Sequence, residues 1–374
     1  MKRLGIFLQF ALLLLLVPIS WDALNSIGQA QHRDARALDY LKAAKDADAK
    51  NQPKLAISAY QQVLSLKPDD DDARLRLTLL QCKVSAEEPA SLTATSARAL
   101  ALRLKTLGLA AKDGPEVAVA LAQIQLLDGR SALAHAAFEK AGVAYPKSGL
   151  VQFVLGKSRL FQGDTAAATD ALARAVKINP ENSLYRSVLG KTLHSQGKWA
   201  RAEVELLAAA ERREDAMVRL MLGEAQLKLK KADAAIESLH RAQGLIKEPG
   251  QRARALAALG YAQYSAGRMR DAIASLSESH RLKASDQTKL NLALSYQAIK
   301  DHKRAILLFK TALENRPLDG TNHVNWVRSL IAVGQRITAQ QVYLRLKQRA
   351  DSHPQLKPHL SLMSKLVEMN ERTP

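Results

Sequence analysis

The chain has 374 residues, of which 47% are hydrophobic but only 5% aromatic, with a formal charge of +19. That length exceeds one ordinary compact domain, so it predicts two domains or an elongated repeat array. A single cysteine, Cys82, excludes an intrachain disulfide and a thiolate metal cage, and the abundance of Ala and Leu with little β-branching predicts an all-α protein.

The first element is apolar. Lys2 and Arg3 precede an uncharged run from Leu4 to Trp21, 18 residues long and ending at Asp22. A basic flank and an apolar core of this length predict either an export signal or an uncleaved signal-anchor helix. The Lys2/Arg3 flank places the N-terminus in the cytoplasm and the rest across the membrane, with Trp21 to Ala30 as a short linker. Gly28-Gln29-Ala30 reads as a cleavage site but lies far from the apolar run, which favours an anchor. The expected location is the cell envelope: an inner-membrane anchor with a periplasmic repeat domain, or a secreted periplasmic protein if the segment is cleaved. The chain has no Asn-x-Ser/Thr sequon, in keeping with a bacterial periplasm.

Next comes a repeat region, expected over residues 31–350. Tyr40, Ala56, Tyr60 and Pro68 fit a first unit beginning near Ala37. The run Asp69 to Asp72 precedes a helix, where carboxylates satisfy free N–H groups and complement the dipole. Residues 71–114 form a degenerate unit with helices expected over 71–84 and 92–107. Cys82, in LTLLQCKV, reads as a small buried hydrophobe.

From Pro115 onward the pattern is regular. VLGKSRLFQGD at Val154 recurs 34 residues later as VLGKTLHSQGK at Val188. Alanines at 134, 168, 202, 235, 272, 305 and 339 keep that step to within three residues. Five residues before most of them stands a turn glycine (Gly129, Gly163, Gly197, Gly267, Gly334), and four after them a bulky apolar residue from Phe138 to Tyr343. Pro146, Pro180 and Pro317 follow, where a helix must stop. Leu-Gly or Leu-Ala pairs recur upstream, as at Leu155-Gly156 and Leu222-Gly223.

This pattern resembles the tetratricopeptide repeat, a helix-turn-helix of 34 residues. The resemblance implies a right-handed α-solenoid of about nine helix pairs after the N-terminal apolar helix. Small residues at 156, 190 and 223 and at 168, 202 and 235 then let paired helices approach to about 8 to 10 Å. The last segment, Lys357 to Glu371, carries Leu360, Met363, Leu366, Val367 and Met369 at helical spacing and is expected to cap the array, within a terminal piece over 351–374.

Functional motifs are few. The Gly-Lys-Ser/Thr tails at 156–158 and 190–192 lack the upstream glycine of a P-loop, since Val151 and Tyr185 stand there, and both lysines fall inside a helix. The nine histidines show no metal-ligand spacing. No cofactor, no metal and no catalytic nucleophile are expected, so the chain reads as a non-enzyme.

In the resembled family the first helix of each pair lines a groove that holds a protein or peptide partner. Carried onto this chain, the groove residues are Phe153, Lys157 and Phe161; Lys191 and His194; Leu220, Glu224 and Leu227; Tyr261 and Tyr264; and Leu290, Leu294 and Gln297. The paired Lys and Asn clamp of the family's chaperone adaptors is missing.

Charge adds a second candidate surface. Residues 253–374 carry +10 of the total. The turns within the later pairs supply Lys198, Arg201, Lys230, Lys231, Arg268, Arg270, Lys300, Lys303, Arg304 and Arg336, a basic edge suited to an anionic membrane surface or an acidic partner. Nucleic acid is disfavoured because stacking aromatics are few there. The expected function is a protein-interaction scaffold in the cell envelope supporting assembly or export of a multiprotein complex. The alternative is a periplasmic chaperone or a regulatory subunit of a glycan-handling enzyme system, which a co-purifying enzyme would reveal.

Overall fold

A computed structural model describes residues 21–50, 52–87 and 93–371. The signal or anchor segment expected at the start of the chain lies outside the described residues up to position 20. Among the described residues no helix is long and apolar enough to cross a membrane.

The described residues form nineteen α-helices and no strand. In chain order they are α1 (Trp21–Ala49), α2 (Pro53–Leu66), α3 (Asp71–Glu87), α4 (Ala94–Thr106), α5 (Pro115–Leu127), α6 (Ser131–Ala144), α7 (Gly149–Phe161) and α8 (Thr165–Ile178) in a first compact unit. A second unit holds α9 (Ser183–Ser195), α10 (Trp199–Arg212), α11 (Ala216–Lys228), α12 (Ala232–Leu245), α13 (Pro249–Ser265), α14 (Met269–Leu282), α15 (Asp286–Ala298), α16 (His302–Glu314), α17 (Gly320–Ala332), α18 (Arg336–Ala350) and α19 (Lys357–Glu371). In each unit consecutive helices pack as pairs and each pair packs on the next, which is the expected helix-turn-helix array. The linker expected over Trp21–Ala30 is instead helical, continuous with the part of α1 that packs on α2.

Local sequence sets the boundaries. The first helices of successive pairs start behind a capping side chain: Asn182 Oδ1 accepts from Leu184 and Tyr185 N–H, and Asp215, Ser285 and Asp319 do the same for α11, α15 and α17. Asp70 caps α3 through the Ala73 N–H at 2.9 Å, so the acidic run there acts as a helix start. The turns inside pairs end on a left-handed residue, and five of these in the regular region are glycines (Gly129, Gly163, Gly197, Gly267, Gly334). At the two repeats without glycine, Lys230 and Lys300 adopt the same backbone, with φ of 60° and 66°.

Pair closure rests on one contact. A Cβ added to Gly156, Gly190, Gly223 or Gly260 would lie 2.7, 2.8, 2.4 or 2.5 Å from the Cγ of Leu172, Leu206, Leu239 or Leu276. Each leucine therefore lies across the glycine of its own pair, sixteen residues earlier in the chain. These leucines fill a hole within the pair. Where the first helix carries Ala293, the residue at that step is Phe309, and both are fully buried in one cluster.

Two end structures follow the same logic. In the degenerate region Cys82 is buried with Leu100, Leu104, Val117 and Ala120, and burial pushes its thiol up to about 12, which leaves it protonated and inert. At the other end α19 lays Met363 onto Val327, Leu330 and Leu346, closing the last apolar face.

Candidate partner-binding surfaces

The first helices of the pairs present the expected groove residues, but burial divides them. Phe153, Leu220 and Leu290 are 0% exposed and belong to the core, which corrects their assignment to a groove. Leu220 lies on the helix face that meets the neighbouring pair, in one cluster with Ala255, Leu259 and Ala262 of the next first helix. Leu227, Tyr264 and Leu294 are partly buried against the same cores. Gln297 donates from Nε2 to Asn325 O and Ser329 Oγ, both at 2.8 Å, so its amide ties α15 to α17.

In the second unit the structure brings His194 and Glu224 together. His194 Nε2 stands 3.2 Å from Glu224 Oε2, and the same carboxylate takes two hydrogen bonds of 2.8 Å from Arg254. Burial pushes the Glu224 carboxyl up, but the hydrogen bonds from His194 and Arg254 and the arginine charge outweigh it and hold it below the usual range. This polar ladder crosses α9, α11 and α13. Arg254 was not among the residues read from the sequence, although it stands six residues before Gly260, at a groove-facing register of the resembled repeat. Lys191 is half-buried, and Tyr261 is 44% exposed.

The first unit holds an apolar opening. A cavity of about 210 Å³ lies between α5, α6 and α7, lined by Leu126, Leu127, Phe138, Val154 and Phe161. Phe161 stands on its rim 78% exposed, stacked on His135 at a centroid distance of 5.7 Å. His135 is itself fixed, with Nδ1 2.5 Å from Ser158 Oγ. Lys157 also lines the cavity; its Nζ lies 5.3 Å from the centre of the Phe153 ring, and among the described residues it has no carboxylate partner. Burial pushes its ammonium below the usual lysine range. An apolar seat beside an uncompensated cation suits a bulky apolar group carrying a negative charge.

The basic edge is partly self-neutralised. In the second unit Lys231 pairs with Glu203 at 2.7 Å and Arg268 with Asp233 at 2.9 Å, each joining one turn to the helix of the preceding pair. Arg304 pairs with Asp301 at 3.4 Å and stacks on Tyr296. Lys198, Arg201, Lys230, Arg270, Lys300 and Lys303 are exposed and have no such partner among the described residues. Arg336 lies at the last such turn. The sequence therefore overstates the edge, because it lists the cations and not the acids set beside them.

A family model matches part of the chain. Residues 153–216 match the model described as tetratricopeptide repeat. Among solved structures, the chain is similar to MamA (25% identity, 45% of this chain and 92% of that one, TM-score 0.41). It is also similar to YrrB, described as a TPR protein with an unusual peptide-binding site (16% identity, 49% and 93%, TM-score 0.44). A third is the Pseudomonas aeruginosa pilF product (19% identity, 57% and 96%, TM-score 0.45). No curated protein matches the chain.

Proposed function

We propose that this chain, a tetratricopeptide-repeat array, is a non-enzymatic scaffold that binds a protein partner in the cell envelope and supports assembly or export of a multiprotein complex. The N-terminal apolar run Leu4 to Trp21 supports the location, holding the repeats at the membrane or carrying them across it. The exposed cations of the second unit, Lys198, Arg201, Lys230, Arg270, Lys300 and Lys303, supply a secondary attraction for anionic lipid or an acidic protein face.

One observation carries the binding reading: the cavity between α5, α6 and α7 with Phe161 exposed at its rim and Lys157 unpaired within it. The partner is a peptide segment that seats a bulky apolar side chain against Leu126, Leu127 and Phe161 and brings a neighbouring carboxylate to Lys157. A partly buried amine with no counter-charge among the described residues is destabilising until a carboxylate reaches it, so its cost is recovered in the complex.

A photo-crosslinking residue placed at Phe161 in cells tests this, with Lys140 on the outer face of α6 as the control site. The expected result is a discrete protein adduct at 161 that is absent at 140 and is lost on Lys157→Glu. The same adducts at both sites, or adducts indifferent to Lys157→Glu, refute it. A periplasm-dependent reporter fused after Pro374 tests the location, and activity only in the cytoplasm refutes it.

A further inference from the structure

The second unit contains a polar cavity that the protein-binding reading does not use. It measures about 140 Å³, room for four or five waters. It opens between α16 and α18, with His323 and Trp326 of α17 in its lining. Lys310 and Glu314 come from α16, and Arg345 and Arg349 from α18.

Two features set this place apart. Several arginines of the unit face carboxylates, as in Arg186–Glu205, Arg212–Glu181, Arg219–Glu214 and Arg281–Glu278, and those unpaired among the described residues, such as Arg201 and Arg270, stand singly and exposed beside turns. Around this cavity Lys310 and Arg345 have no carboxylate within ion-pair distance among the described residues, and Arg349 makes only a 3.5 Å contact to Pro317 O. The second feature is Trp326, whose indole Nε1 is buried and has no hydrogen-bond acceptor. A buried indole N–H normally finds one.

From this cluster of unpaired donors we propose that the cavity binds a phosphate-type oxyanion. Lys310, Arg345 and Arg349 are the charged donors and Trp326 Nε1–H a neutral one. Arg345 and Arg349 stand four residues apart on α18, on one face, and both line the cavity. Three cations against the one carboxylate of Glu314 leave two positive charges in excess, which matches a phosphomonoester dianion better than a singly charged carboxylate. The group belongs either to a soluble phosphorylated molecule or to a lipid headgroup, and the chemistry of recognition is the same.

The test uses the full chain at constant ionic strength. Inorganic phosphate and glycerol 3-phosphate form the soluble arm, vesicles of phosphatidic acid in phosphatidylcholine the lipid arm, and acetate and pure phosphatidylcholine the controls. Binding is read by calorimetry and by the fluorescence that disappears in Trp326→Phe. The expected result is saturable binding in at least one arm and not in its control. Arg345→Gln and Arg349→Gln each weaken it by about tenfold, Trp326→Phe weakens it less, and Glu314→Gln tightens it. Saturation by soluble phosphates assigns a soluble ligand, and binding confined to phosphatidic acid vesicles assigns the headgroup. Acetate binding as well as phosphate, or affinity unchanged in the Lys310→Gln, Arg345→Gln, Arg349→Gln triple variant of unaltered helicity, overturns the proposal.

Discussion

Gly223 and Leu239 offer a measurement of what closes a repeat. A methyl group at 223 would lie 2.4 Å from Leu239 Cγ and 2.8 Å from its Cδ2, where ordinary carbon contacts are about 3.5 to 4.0 Å. Leu239 is fully buried and cannot swing into solvent without opening the pair. Overpacking of this kind costs about 1 to 3 kcal/mol. The better helix propensity of alanine returns up to about 1 kcal/mol. Gly223→Ala should therefore destabilise the hairpin by up to about 2 kcal/mol when the full return is counted. Leu239→Ala alone should cost about 2 to 5 kcal/mol through the cavity it leaves. In the double variant the new methyl occupies part of that cavity, so the combined loss should fall short of the sum by about 1 to 2 kcal/mol. The assay is amide hydrogen exchange of peptides spanning α11 and α12, because a repeat array has local stabilities and no single global value. Losses that add within about 0.5 kcal/mol, or a Gly223→Ala variant more protected than the parent, would refute the account of pair closure.

Three further outcomes are expected. Lys230→Gly and Lys300→Gly remove a side chain from a left-handed backbone and should each stabilise its own hairpin by about 0.5 to 1 kcal/mol by amide exchange, whereas Lys228→Gly, at the helical last residue of α11, should not. Gln297→Ala deletes two hydrogen bonds between α15 and α17 and should cost about 1 to 2 kcal/mol, seen as faster exchange in α17. Burial lowers the pKa of His323, and its Nδ1–H donates to Asp319 O, so the folded chain takes up the proton at lower pH than the unfolded chain. Stability contributed by neutral His323 is then lost as pH falls below about 6.5, and the drop in urea midpoint between pH 7.5 and 5.5 should shrink in His323→Gln.

The repeat was legible because its physical requirements are local. A glycine that lets two helices touch, a cap that starts a helix and a left-handed turn each leave a mark at a fixed spacing, and even α19 falls over Lys357–Glu371 as its spacing predicts. The candidate sites were less legible because they depend on which neighbour a side chain meets. Phe153, Leu220 and Leu290 read as groove residues from register alone, yet all three are fully buried, Leu220 against the next helix pair. Arg254 reaches Glu224 across 30 residues, and the acids beside Lys231 and Arg268 lie 28 and 35 residues away. Lys230 and Lys300 fall in turns by register, but their left-handed backbone was not legible, because the sequence signal for it is glycine. The phosphate cavity gathers side chains from three helices, none with a motif of its own.

The glycine-under-leucine contact also bears on how such a chain can be shuffled. A helix bearing Gly223 accepts Leu239 as its mate, whereas the helix bearing Ala293 is matched to the ring of Phe309. The two halves of a hairpin are thus keyed to one another, and a recombination crossover inside a hairpin joins a lock to the wrong key. Gene duplication and domain grafting should succeed when breakpoints fall in the loops between hairpins and fail when they fall at the glycine turns within them.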